Sequence, residues 1–538
     1  MAIFSTAKSL GDHDAGTPKN MKAFYYFYLF ILASTSFGAS KPNIILIYTD
    51  DQGYGDFSLL NPKSKFKTPN LDRLAKEGMV FTDGHSSDTV CTPSRYGLLT
   101  GRYSWRTTLK RGVFGAEKPC LIKDGRVTIA SLLRDNGYKT AMVGKWHLGM
   151  DFPGEKGNRD WSKPVQDMPL DKGFDYYWGI PASMNYGVLA WFEGRRAKVP
   201  PTLYTSKKPS KIAIDDYRIA PPYQKTAKDA PDPKESGGRK MNAKTKGLEV
   251  APDFVDIECL DRFTTQSLRW LSGQAEGARK GKPFFLYLPY TSPHKPVIPM
   301  KKFRGQGKAG AYGEFMIETD WHLGRIMKWL DDEKLTDNTM VIFTSDNGPE
   351  TTWKKRKDKF GHQSNGLFKE GKRSIYEGGH RVPFVIRYPD LIKSGSKTNI
   401  PVCQTDILAT IAEMIGSKLP QDAGEDSFSF LSDLKGVPDE QGGILIHHSS
   451  NGRYAIRKDR WKLILPQRKS PVELYDLDQD PTEKTNLSKK HPDIVSSLRA
   501  EFSQVIIKGR STPGKPQKND TPIWPDVAHL VTQKLKNK

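Results

Sequence analysis

The chain has 538 residues, with 83 Lys+Arg against 61 Asp+Glu, a formal net charge of +22 and a mean hydropathy of −0.60. Hydrophobic residues make up 37% and aromatics 11%, too much core-forming material for a compositionally disordered chain, and the hydropathy leaves no room for a bundle of apolar membrane spans. The length suits about two to four domains. The charge points to polyanionic partners (nucleic acid, anionic membrane or acidic polysaccharide) or to a well-solvated surface, without choosing among them.

The first residues read as an address. From Met21 the chain runs MKAFYYFYLFILASTSFGAS: one lysine, an apolar run over 23–33, then Ser36 and Gly38 at signal-peptidase spacing. The expectation is an over-extended gene start over 1–20, a signal peptide over 21–38, and export to the periplasm or medium. An uncleaved anchor is the alternative, against which the short apolar run counts.

Beyond Lys41, strand-like and helix-like segments alternate. Residues 43–48 form a continuous apolar run that ends in Thr49-Asp50-Asp51, the pattern of a buried parallel strand. Thr68-Pro-Asn-Leu-Asp-Arg-Leu-Ala-Lys-Glu-Gly78 carries a helix start, helical spacing and a glycine stop. Further strands are predicted at 139–143, 283–288 and 340–344, and further helices near 127–136, 259–273, 313–331 and 404–415. This alternation predicts an α/β fold with a mostly parallel sheet between helices. Residues 195–246 hold 14 Lys/Arg against 5 Asp/Glu and read as a basic surface insertion. Past about residue 425 come short runs at 443–447, 454–458 and 461–465, then a helix near 491–505. They predict a C-terminal antiparallel sheet with one helix. The domain reading is a catalytic region over 39–425, a subdomain over 426–510 and a Lys/Pro-rich tail over 511–538.

Four cysteines, Cys91, Cys120, Cys259 and Cys403, are no disulfide scaffold and show no zinc-type spacing. Cys91-Thr-Pro-Ser-Arg95 places a thiol at a helix start with an arginine one turn on, a setting that favours a nearby anion and allows a reactive cysteine. Asp50-Asp51 and Asp346-Asn347-Gly348 each close a strand, where α/β sheets hold ligands. Carboxylates and an amide supply only hard oxygen donors, which suits Ca²⁺ or Mg²⁺; alone, each pair is also compatible with simple solvation. Lys145 and His147, two apart in Gly144-Lys-Trp-His-Leu-Gly149, would share a face if extended, although such a pair alone is more often a surface lysine beside a packed histidine. Ser292-Pro293-His294 follows a strand and alone reads as a loop histidine at its end. Lys354-Lys-Arg-Lys357, seven residues past Asn347, either lines a pocket or is a solvated loop.

Cys-x-Pro-Ser-Arg, four residues and Thr100-Gly101 together resemble the signature of the type I sulfatases, the formylglycine-dependent family that includes arylsulfatase A-like members. The blocks at 50–51, 144–149, 292–294, 346–348 and 371–383, and the closing segment from Trp461 to Glu483, resemble the family in its own order. Leu367-Phe-Lys-Glu370 departs from it beside Lys372. The resemblance implies an alkaline-phosphatase-like fold and hydrolysis of sulfate monoesters. It implies oxidation of Cys91 to formylglycine by a maturation enzyme, and one divalent cation, Ca²⁺ before Mg²⁺, on Asp50, Asp51, Asp346 and Asn347 together with residue 91. Arg95, Lys145 and Lys372 would supply cationic donors. The hydrated aldehyde would attack sulfur, His294 would protonate the leaving alcohol with help from Lys372, and His147 would draw off the proton that expels sulfate. Export and basic charge favour sulfated poly- or oligosaccharides, with Asn185, Tyr186 and His448 as candidate sugar contacts. Small aryl sulfates, a phosphodiester or phosphonate substrate, and a non-catalytic glycan binder are the alternatives. No nucleic-acid motif accompanies the charge, and no stable membrane partner is expected.

Overall fold

The computed structural model describes residues 41–205, 248–437, 443–467 and 470–521. The expected gene start, the signal peptide, most of the basic insertion and the last part of the tail lie outside them. Among the described residues, no helix is long and apolar enough to cross a membrane.

Ten strands form the main sheet: β1 (Asn43–Asp50), β2 (Met79–Phe81), β3 (Lys139–Lys145), β4 (Tyr176–Ile180), β5 (Phe192–Glu193), β6 (Arg196–Ala197), β7 (Phe284–Pro293), β8 (Thr339–Ser345), β9 (Phe384–Arg387) and β10 (Ser396–Thr398). Their order is β10-β2-β9-β8-β1-β7-β3-β4-β5-β6. The five central strands β8-β1-β7-β3-β4 are parallel, and antiparallel pairings join β9 to β8 and β2 on one side and β5 and β6 beyond β4 on the other. Every residue of β1 and of β7 is buried, as expected of strands covered on both faces.

Two groups of helices cover the sheet. One is α1 (Pro69–Lys76), α4 (Cys259–Arg279) and α5 (Gly310–Asp332); the other is α2 (Cys91–Thr100), α3 (Ile129–Asp135) and α7 (Ile407–Met414), with α6 (Trp353–Phe360) lying between β8 and β9 in sequence. In α1, Pro69 occupies the first turn, where its missing N–H costs nothing, and Leu71, Leu74 and Ala75 face the core. Helix α2 is buried along its whole length and stops at Gly101, in the left-handed region (φ 61°). The predicted strands and helices are all present, with central strands running one to five residues past their expected ends. The segment Lys354–Lys357 belongs to helix α6 and is no loop: Lys354 pairs with Glu370 at 2.9 Å, and Arg356 is buried over the Tyr312 ring.

Toward the C-terminus, β11 (Leu445–His448), β12 (Tyr454–Lys458), β13 (Trp461–Ile464) and β14 (Glu473–Asp476) make an antiparallel sheet, and α8 (Pro492–Lys508) buries Leu498, Phe502, Val505 and Ile506 against it. Tyr103 and Trp105, just past α2, share this core. All four cysteines are free.

Close approach of β3 to its neighbours sets the position of everything after Val143. Gly144 has φ 142°, and a Cβ there would lie 2.1 Å from the Pro289 carbonyl oxygen; a Cβ on Gly179 of β4 would lie 1.9 Å from the Gly144 carbonyl. Gly144→Ala should therefore cost about 2 kcal/mol or more. Gly273→Ala, on the exposed face of α4 with open space around it, should be neutral or stabilise by up to about 1 kcal/mol. Urea unfolding of the two variants checks the pair; equal effects would contradict the packing described for Gly144.

Candidate active site

Four neighbouring parallel strands deliver their next residues to one place. Thr49 pairs with Ser345 and Asp50 with Pro293, so β1, β7 and β8 end level. Asp50 is the last residue of β1, and Asp51 turns away with φ 67°. Asp346 and Asn347 follow β8. The Asp346 amide donates to the Thr49 carbonyl at 3.1 Å, the Asp51 amide to Asp346 Oδ1 at 3.1 Å, and Asn347 Nδ2 to Asp51 Oδ1 at 2.8 Å. All four side chains are buried.

Cys91, the first residue of α2, sits over this floor. Its Sγ lies 3.5 Å from Asp50 Oδ1 and 3.5 Å from Lys372 Nζ. Burial, with the Asp346 carboxylate beside it, pushes the thiol up, so an unmodified thiolate is disfavoured here. Three cations answer the three carboxylates. Lys145 Nζ, at the end of β3, donates to Asp50 Oδ2, and Lys372 Nζ donates to Asp51 Oδ1. Arg95 Nη2 donates to Asp346 Oδ2 at 2.9 Å and Nη1 to the Lys145 carbonyl at 3.1 Å. Burial opposes the charge on Lys372, but Asp51, with Asp50 and Glu350 near it, outweighs that and holds the ammonium protonated. Burial and the neighbouring Asp50 push Asp346 up to about 6. Arg95 is fully buried, engaged by Asp346 and the β3 backbone.

The donor set fits a hard divalent cation. Asp50, Asp51, Cys91 and His294 offer atoms that lie within 4.8 Å of one another. Asp51 Oδ2 and Asn347 Oδ1 are buried without a hydrogen-bond partner, and unpaired buried oxygens are costly unless a cation or water takes them. Asp346 stands in the same network through Asp51.

His294 follows β7. Its Nδ1 lies 2.6 Å from the Lys295 carbonyl, which assigns the proton to Nδ1 and turns Nε2 toward Asp51 Oδ2 at 3.9 Å. Burial, helped by Lys372 and Lys145 against the opposing pull of Asp51, pushes the imidazole down to about 3. His147 does not share an extended face with Lys145. Strand β3 ends at Lys145, and His147 has φ 63°, so a left-handed turn brings it to the site. Neither ring nitrogen of His147 has a hydrogen-bond partner; burial, then Lys145 and Arg95, hold it neutral.

Tyr186 lies beside His147, ring centroids 5.4 Å apart, and the adjacent Asn185 is buried with Oδ1 unpaired. His448 is buried and bonds through Nδ1 to Asp88 at 2.7 Å, three residues before Cys91. Three charged residues at this site escaped the sequence reading: Lys295, Glu350 and Arg373. The one signal for them was adjacency, since they lie one, three and one residues past His294, Asn347 and Lys372.

A second buried cluster, His85, Glu377, His380 and His447, has metal-like composition but the wrong geometry. The His380 and His447 rings stack at 3.8 Å and 11°, so their lone pairs run parallel and do not converge. Lys462 Nζ already sits 2.9 Å from Glu377 Oε1 and 3.2 Å from His380 Nε2. One set of tautomers gives a continuous chain: Lys462 donates to His380 Nε2, His380 Nδ1 to His85 Nδ1 at 2.9 Å, and His85 Nε2 to Asp83 at 2.5 Å. With Arg381 bonded to both Glu377 and Asp83, the cluster ties the C-terminal sheet to the Glu377–Arg381 segment as scaffold.

Comparison with known proteins agrees with this geometry. The family model described as Sulfatase matches residues 42–417, and one described as N-sulphoglucosamine sulphohydrolase, C-terminal, matches 364–508. An N-acetylgalactosamine-6-O-sulfatase of Bacteroides thetaiotaomicron is 33% identical over 488 residues, covering 86% of this chain and 92% of that protein. Human arylsulfatase A is 29% identical, covering 88% and 89%. A solved structure from work on glycosaminoglycan metabolism by Bacteroides thetaiotaomicron superposes with a TM-score of 0.73 at 31% identity, covering 87% of this chain and 99% of that one. With Cys91, its carboxylate floor and its lysines drawn together on an alkaline-phosphatase-like sheet, the chain belongs to the sulfatase family and is a sulfuric ester hydrolase.

Proposed function

We propose that this sulfatase is an exported enzyme that removes sulfate from sulfated poly- or oligosaccharides, using residue 91 as formylglycine and one divalent cation, Ca²⁺ before Mg²⁺. The observation that carries this reading is the floor itself: Asp50, Asp51, Asp346 and Asn347 beneath Cys91, with two buried oxygens left unpaired and two lysine ammoniums drawn in. The carbohydrate preference rests on the relative that acts on N-acetylgalactosamine 6-sulfate groups and on the +22 charge. A leader over 21–38, a catalytic region over 39–425 and a C-terminal subdomain over 426–510 complete the proposal.

The four oxygen ligands and residue 91 would hold the cation, which when bound polarises oxygen and offsets the charge of the sulfate. Formylglycine as its hydrate supplies an oxygen nucleophile, and return to the carbonyl breaks the C–O bond and frees sulfate, so no sulfated side chain awaits hydrolysis. Lys145 and Lys372, now bonded to Asp50 and Asp51, would be the donors to the sulfate oxygens. Arg95 keeps Asp346 oriented. Neutral His147 is suited to accept the proton from residue 91. His294, with Nδ1 fixed on Lys295, presents Nε2 to the ester oxygen, and the arriving anion favours its protonated form.

Cys91→Ala should lower sulfate release by at least about 10³-fold with an unchanged circular dichroism spectrum; near-normal release would defeat the mechanism. His147→Ala should give one equivalent of alcohol and then stall with residue 91 sulfated. A uniformly slow enzyme with no adduct would place the base elsewhere. Chelation should abolish turnover, and Ca²⁺ should restore it; full activity in excess chelator would contradict the assigned floor.

A further inference from the structure

Three partly exposed charged side chains, Lys295, Glu350 and Arg373, stand one residue past His294, three past Asn347 and one past Lys372. Their side chains are 33%, 13% and 44% exposed, while that of Lys372 is 4% exposed. Arg373 Nη1 and Nη2 grip Glu350 at 2.5 and 2.8 Å, and Lys295 Nζ lies 3.8 Å from the same carboxylate. The Arg373 amide donates to the Thr89 carbonyl at 2.9 Å, two residues before Cys91, and the Lys372 amide to the Pro349 carbonyl at 2.9 Å. The rim is thus fastened to both the nucleophile loop and the loop after Asn347. Arg373 holds this place with φ 78°. A residue with a side chain avoids that region unless its surroundings enforce it, and such outliers gather at ligand-binding sites.

An end-on pair with Glu350 uses two of the five N–H donors of a guanidinium. The Nε edge of Arg373 makes no hydrogen bond among the described residues. Two cations against one carboxylate leave the rim net positive beside the sulfate pocket, with Glu350 fixing the fork in advance of binding.

We propose that Arg373, oriented by Glu350 and assisted by Lys295, binds a second anionic group, a carboxylate or sulfate, on the sugar next to the one being desulfated. The preferred substrate is therefore a polyanionic glycan and not a singly charged ester. This specificity role rests on the sulfatase reading above. Arg373 touches the neighbouring sugar and takes no part in the chemical step, so its loss weakens binding and spares turnover.

The test compares sulfate release from N-acetylgalactosamine 6-sulfate alone, from its disaccharide with a neighbouring uronate, from the same disaccharide with the carboxyl reduced to an alcohol, and from one with a sulfate in its place. The wild-type protein should show a KM about tenfold lower for a disaccharide carrying the second anion. Arg373→Gln should erase that advantage with kcat within about twofold, and Arg373→Lys should keep part of it. Preference for the uronate form identifies a carboxylate, and preference for the disulfated form a sulfate. Equal losses on all four substrates, or no preference in the wild type, would overturn the proposal. Failure of the wild type to release sulfate from any of them would overturn the proposed carbohydrate substrate and this rim together.

Discussion

Three carboxylates, those of Asp50, Asp51 and Asp346, are buried side by side at the ends of β1 and β8, and the surrounding structure is organised to keep that much negative charge away from water. Removing even one ion from solvent costs several kcal/mol unless opposite charge and hydrogen bonds replace the lost hydration. Lys145, Lys372 and Arg95 supply that opposite charge, each reaching the floor from a different element. The two lysines meet the carboxylates as single flexible ammoniums, whereas the Arg95 fork is also pinned to the β3 backbone.

The rest of the fold fixes where these groups stand. Level strand ends place Asp50, Asp346 and the segment after Pro293 in register, and glycine contacts draw β3 close enough for Lys145 to reach Asp50. Asp51, His147 and Arg373 all stand in the left-handed region: Asp51 directly after β1, His147 two residues past the end of β3, and Arg373 directly after Lys372. Three of the positive-φ residues with side chains thus stand at the site around residue 91, where such outliers accompany ligand binding.

The buried strands and their terminal carboxylates were legible in the sequence because a long apolar run ending in Asp-Asp leaves few other readings, and the spacing around Cys91 singled out one family. Geometry that depends on turns was not. The Lys145–His147 spacing suggests a shared strand face, yet strand β3 ends between them and a positive φ does the work. Arg95 reads in the sequence only as a cation one turn past Cys91; that it bonds Asp346, just past a distant strand, is tertiary information. The short outer strands β2, β5, β6, β9 and β10 carry too few residues for a periodic pattern to emerge. Lys295, Glu350 and Arg373 look like ordinary surface charge until tertiary structure brings three separate loops together.

The central claim is that residue 91 works as an aldehyde and not as a thiolate, which its burial disfavours. The most direct measurement is the mass of the tryptic peptide ending at Arg95, from protein produced alongside a formylglycine-generating enzyme. Conversion lowers that mass by about 18 Da, and the fraction converted should track the specific activity for sulfate release. An unmodified Cys91 peptide from fully active protein would contradict the account.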